Sequence, residues 1–290
     1  KNFVRYGLKR GLKHQGEAGI NPFKYGFIGG TDSHNGTPGN VEEDNYGVGS
    51  HGLTDQTAQD RVANTIDGWA TAYDINPGSL AGVWAESNTR EAIWDAMKRK
   101  ETFATSGPRI KVRMFAGYDL QESYDSYESM VAAGTDLAIP MGGDLSKSKG
   151  ESPKFLVWAM KVPIGPNLDR IQIIKGWVEN GEMKEKIYNV AVSDNREINA
   201  DGSVTPLNAP VNLETGAFDA SQGSPELSVV WEDPDFDPGQ QAFYYSRVIQ
   251  LPTARWTLWD EIREGVAYPK CVAKTIQEPA WGSQIWYNPN

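Results

Sequence analysis

Beyond about residue 115 the sequence nearly loses the spacing of apolar side chains that marks a helix, and short runs with two-residue alternation take its place. No other feature constrains the fold as strongly, because a chain whose longer part alternates in this way is not a helical bundle. "KFLVWAMKV" reads as one strand. "DRIQIIKGWV", the dipeptide Asn180-Gly181 and "KEKIYNVAVS" read as a hairpin, since Asn-Gly accepts the positive φ angles of a tight two-residue turn. Tyr188, Val190 and Val192 share one face of its return strand. "ELSVVWE" sets Leu227, Val229 and Trp231 on one side, and "AFYYSRVIQLP" is a further strand. Strands of this kind predict an antiparallel β-sandwich. A short helix at "WTLWDEIRE" and an aromatic tail, "PAWGSQIWYNP", follow.

The earlier part reads as mixed α/β. "FVRYGLKRGLKH" places Val4, Leu8 and Leu12 at i, i+4 spacing, which predicts a helix over 3–14 with His14 in its last turn. Asn21-Pro22 breaks the chain, and a buried strand is expected over 25–29. Residues 35–80 are rich in Gly, Asn, Asp and Pro, with one helix expected in "DQTAQDRVANTI". A connection this long is uncommon unless it covers or builds a site. "LAGVWAE" is a short strand, and Asn88 is placed to cap a helix over 89–100, with Glu91 reaching back. "ETFATSGPRIKVRMF" reads as strand, tight corner and strand. The expected organisation is an α/β part at residues 1–112 and an all-β part at residues 113–290.

Charge excludes one class of partner. The formal net charge is −10, and without a basic stripe a phosphate backbone is repelled, so no nucleic acid is expected. No apolar run approaches the ~20 residues of a membrane span. The single Cys271 forms no intrachain disulfide and no thiolate metal site. Ten tryptophans and twelve tyrosines suit sheet cores, and some such rings line sugar-binding faces.

Chemistry concentrates in "YGFIGGTDSHNGT". Loops at the carboxyl ends of strands carry functional groups in α/β architectures, and Asp32 and His34 follow the expected strand. A carboxylate and an imidazole suit zinc, manganese or iron. The intervening residue turns the two side chains apart, so Asp-x-His serves neighbouring metals more naturally than one. The alternative is an Asx turn with an exposed histidine. His51, in the long loop, is either a further ligand or proton donor or an exposed histidine. Glu86 is either a carboxylate near the site or a countercharge to the following helix. Arg109 is either an anion contact, assisted by Thr105 and Ser106, or half of a salt bridge. Asp233, Asp235 and Asp237 alternate as in calcium loops, but the sixth position is Pro238 and the twelfth Tyr244, so a turn is expected instead.

Long stretches, among them "YGFIGGTDSHNGTPGNVEEDNYG", "GVWAESNTREAIWDAMKRKETFATSGPRIKVRMFAG" and "DPDFDPGQQAFYYSRVIQLPTARWT", resemble the C-terminal half of the bacterial family called domain of unknown function 3604. That family in turn resembles the PHP (polymerase and histidinol phosphatase) superfamily of metal-dependent phosphoesterases. The resemblance implies the C-terminal part of a distorted β/α barrel over residues 1–112, then the β-sandwich. It also implies metal ligation by Asp32 and His34, a divalent zinc, manganese or iron ion, and a small anionic substrate. The chain departs from the pattern: it has three histidines, none in a His-x-His, and it opens with a helix. The expected partner is therefore a missing N-terminal half of the same polypeptide, without which the 290 residues are catalytically inactive. The competing expectation is a non-catalytic module that binds a glycan or a protein. A soluble bacterial protein is expected, leaning towards an extracytoplasmic location.

Overall fold

A computed structural model describes residues 3–34, 36, 42, 44–46, 55–66, 70–75 and 78–289. Helix α1 (Val4–Ala18) buries Leu8 and Leu12 and ends at Gly19, whose positive φ of 79° lets its N–H reach the Gln15 carbonyl. Helix α2 (Ala58–Ala63) starts at a reciprocal cap between Thr57 and Asp60. Strands β1 (Thr65–Ile66) and β2 (Ala70–Thr71) form a small ribbon, and β3 (Leu80–Val83) follows. Helix α3 (Arg90–Arg99) is capped by the Thr89 hydroxyl, one residue after the Asn88 expected from the sequence, and stops at Lys100 in the left-handed conformation. Strands β4 (Thr102–Thr105) and β5 (Lys111–Gly117) flank the Ser-Gly-Pro corner.

Helix α4 (Tyr127–Leu137) opens with a Ser126–Ser129 capping box. It was not expected: its apolar positions are few, and only Met130 and Gly134 are buried. Then come β6 (Ile139–Pro140), β7 (Asp144–Leu145), β8 (Lys154–Met160), β9 (Leu168–Glu179), β10 (Glu182–Val192), β11 (Glu226–Glu232), β12 (Ala242–Gln250) and β13 (Thr253–Ala254). Helix α5 (Trp256–Glu264), β14 (Thr275–Ile276), β15 (Pro279–Gly282) and β16 (Ile285–Tyr287) complete the described chain.

Two sheets dominate. The larger runs β10-β9-β12-β15-β4-β3, with β16 paired to β12 and to β7. The smaller runs β11-β8-β5-β6. Their pairings are antiparallel except for β16 with β7. The two sheets share one core, in which Val112, Met114, Phe155 and Val157 meet Ile171, Ile173, Tyr244 and Val248. Burial of each such side chain contributes about 1.5–3 kcal/mol. The opposite face of the larger sheet is partly covered by α1, whose Leu8 and Leu12 pack on Ile174, Phe243, Tyr245 and Trp286.

Three expectations need correction. Among the described residues no sheet closes on itself, so the barrel portion expected over 1–112 is not shown, and β3 and β4 belong to the larger sheet. The strand expected at 25–29 does not form. Its backbone bonds to side chains instead: Phe27 N–H donates to Ser283 Oγ at 2.8 Å, and Gln284 donates to the Tyr25 carbonyl. Gly29 lies so close to the sheet that a Cβ there would stand 2.5 Å from the Leu80 carbonyl oxygen. The aromatic tail is also no appendage, because β15 lies between β12 and β4 in the larger sheet.

Candidate functional site

The segment that crosses β3 and β4 at Gly29 leads directly to Asp32 and His34. Asp32 adopts φ 54°, a left-handed conformation that Asp tolerates better than most side chains. Ser33 N–H bonds to Thr31 Oγ1 at 3.2 Å. The turn folds the chain back, so His34 Nε2 and Asp32 Oδ1 meet at 3.2 Å. The two side chains face each other rather than diverging towards neighbouring ions. Both are open to solvent, at 83 % for Asp32 and 55 % for His34.

One carboxylate and one imidazole are suitable donors for zinc, manganese or iron, but a catalytic zinc normally has three protein ligands. Among the described residues there is no group of three or more His, Cys, Asp or Glu that could hold an ion. Among the described residues the pair brings two such donors together and no third joins them.

The other sequence candidates are dispersed. Arg109 is exposed beyond β4 and forms no hydrogen bond or ion pair with a described residue, so the salt-bridge alternative is not seen among them. Ser106 is committed to the Pro279 carbonyl through its N–H at 3.0 Å and its hydroxyl at 3.2 Å. Thr105 Oγ1 is buried without a hydrogen-bond partner. Glu86 is exposed just after β3. His51 lies outside the described residues.

Asp233 is fully committed within the fold. Its carboxylate pairs with Lys175 at 2.6 Å, accepts from Tyr244 at 2.7 Å, and closes the expected turn by accepting from Asp235 N–H at 2.9 Å. Tyr188 donates to Asp235 at 2.7 Å. Burial first, and these carboxylates second, hold the Tyr188 and Tyr244 phenols above the ordinary range. Asp235, hydrogen-bonded by Lys186 and Tyr188, sits below the usual carboxylate range. A second buried cluster joins α2 to α5, where Arg61 makes a two-pronged contact with Asp260 at 2.8 and 2.9 Å. Sequence reading missed both. The available signals were a lysine inside the apolar run "RIQIIKGWV" and an arginine on a short helix.

A cleft of about 310 Å³ lies between the start of α4 and the outer face of the smaller sheet, lined by Tyr124, Tyr127, Trp158, Glu226 and Ser228. Of the nine described tryptophans only Trp94 is exposed.

The family model described as "Protein of unknown function (DUF3604)" matches residues 1–289, so the chain belongs to that family. No curated protein and no solved structure matches it. No helix among the described residues is long and apolar enough to cross a membrane.

Proposed function

We propose that this member of the DUF3604 family contributes one side of a divalent-cation site in a PHP-like metal-dependent hydrolase acting on phosphoesters or related small anions. The supporting observation is the Asp32–His34 pair: two metal-type donors 3.2 Å apart, set on a turn pinned to the larger sheet and open to solvent. Asp32 and His34 would hold the ion, a zinc, manganese or iron. The described residues do not complete the set, so the remaining ligands would come from outside them. A bound ion of this kind supplies Lewis acidity and a hydroxide at neutral pH. The chain's own contribution is positional. The left-handed turn at Asp32 fixes the carboxylate against the imidazole, and the exposed Arg109 fork is free to take a substrate oxyanion.

Manganese or zinc titration of the chain by calorimetry tests this reading. Weak binding is expected, at least tenfold weaker in the Asp32→Asn, His34→Gln double variant. Hydrolysis of a generic phosphodiester is expected only from a longer gene product that carries the remaining ligands. Equal activity from the 290-residue chain, or binding indifferent to both substitutions, overturns it.

The competing glycan- or partner-binding role has the α4 cleft in its favour. In that case sugar titration changes tryptophan fluorescence in the presence of a chelator, and Tyr127→Ala removes the response.

A further inference from the structure

On the outer face of the larger sheet, beyond the area covered by α1, lies a row of polar side chains. In register order it reads Asn189, Gln172, Arg247 and Trp281, on β10, β9, β12 and β15. Three of these form a relay. Asn189 Nδ2 donates to the Gly202 carbonyl at 2.8 Å, Gln172 Nε2 donates to Asn189 Oδ1 at 2.8 Å, and Arg247 Nε donates to Gln172 Oε1 at 2.8 Å. The relay fixes the Arg247 guanidinium by its inner nitrogen. Its two terminal amino groups bond to no described residue.

Arg247 forms no ion pair with a described residue; the charges of Arg5 on α1 and Arg170 on β9 oppose its own, and the more weakly felt Glu185 on β10 supports it. Arg170 is two residues from Gln172 on the same face, hence diagonal to Arg247, a separation of about 7–8 Å between such backbone positions. Glu185 is taken by Lys9 at 2.7 Å and by Arg5 at 3.6 Å. Asp169, buried beside the row, is shared by Arg170 and Arg196. Four cationic side chains thus share two carboxylates and Arg247 pairs with neither, in a chain whose net charge is −10. Arg5 Nε is buried with no hydrogen-bond partner. Burial first, and the neighbouring arginines Arg5 and Arg170 with it, push Arg247 below its ordinary range.

We infer that Arg247, Arg170 and Arg5 form a binding site for a tetrahedral oxyanion, a phosphate or sulfate group, on the outer face of the larger sheet. A pre-oriented planar fork with two free amino groups matches two oxygens of such a group. The fixed inner nitrogen means that little side-chain freedom is lost on binding. The site uses neither Arg109 nor the Asp32–His34 pair, so it stands or falls independently of the metal reading.

Calorimetric titration of the intact chain with sodium phosphate and with sodium sulfate tests it, in EDTA and at constant ionic strength. Saturable binding is expected, at least tenfold weaker in Arg247→Gln and in Arg5→Gln, and unchanged in Arg109→Gln and Arg90→Gln. Arg5 is half-buried on α1, away from the sheet's inner core, so its variant decides the matter if Arg247→Gln does not fold. Phenyl phosphate in parallel separates the two sources. Tighter binding than inorganic phosphate assigns a phosphoester group to the site, and weaker binding a free anion. Heats that do not saturate, or saturable binding kept by both Arg247→Gln and Arg5→Gln, overturn the inference.

Discussion

Cutting Asp233 back to alanine strands a lysine ammonium that is 2 % exposed, with only the Asp235 carbonyl, 2.6 Å away, to receive it. An uncompensated buried charge is far costlier than a missing contact. Asp233→Ala is therefore expected to destabilise the chain by about 3–5 kcal/mol in urea denaturation, and Asp233→Leu combined with Lys175→Met to recover much of that loss. If the single variant unfolds no earlier than the parent, the pair is not the buried ion pair described above. At this scale the sequence reveals residue types better than partners. Asp32 and His34 stand out by spacing alone, yet the φ of 54° that turns them towards each other has no sequence mark beyond an aspartate's tolerance for it. Lys175 and Asp233 are 58 positions apart, and their meeting depends on how β9, β11 and the turn that follows β11 pack.

The β9–β10 hairpin shows what is legible in a single element. Asn180 at φ 51° and Gly181 at φ 77° form the turn expected of the Asn-Gly pair. A Cβ at Gly181 would meet nothing within 4 Å, so Gly181→Ala isolates the backbone cost of a left-handed L-residue, about 1–2 kcal/mol. Urea midpoints are expected to fall accordingly, while Asn180→Gly stays within about 0.5 kcal/mol of the parent. Elements with a strong local signal, such as this hairpin and α5, read correctly from the sequence. The stretch 25–29 did not, because apolar composition cannot say whether a neighbouring strand is present to pair with. Helix α4 was hidden for the opposite reason. Its capping serines are clear, but its apolar face is short and interrupted by Gly134.

Across the whole molecule, buried phenols couple stability to alkaline pH. Burial, reinforced by nearby carboxylates, raises Tyr46, Tyr188, Tyr244 and Tyr268 above 10, and burial raises Tyr118 as well. Each favours folding fully below the unfolded-state value near 10, and the advantage drains away as pH rises from there through the folded-state value. Absorbance at 295 nm during alkaline titration is expected to show part of the tyrosines ionising first. The five named above then ionise in a step that coincides with loss of far-ultraviolet circular dichroism. A single smooth curve with retained dichroism contradicts the coupling. The predominance of antiparallel sheet was readable from alternation and turn residues. The strand order was not, since a row such as β12-β15-β4 reflects which edges meet in space, and alternation carries no address.

That order gives β15 an unusual part in biosynthesis. Ser283, just past it, bonds to the Thr102 carbonyl across 181 positions, so the strand that joins the two halves of the larger sheet is made only after both of its neighbours. Until then the nascent polypeptide carries raw edges on β12 and β4, inviting holdase chaperones or mispairing with a neighbouring copy. A premature stop codon just before Pro279 would release a product with those edges permanently open, a natural substrate for the cell's proteases.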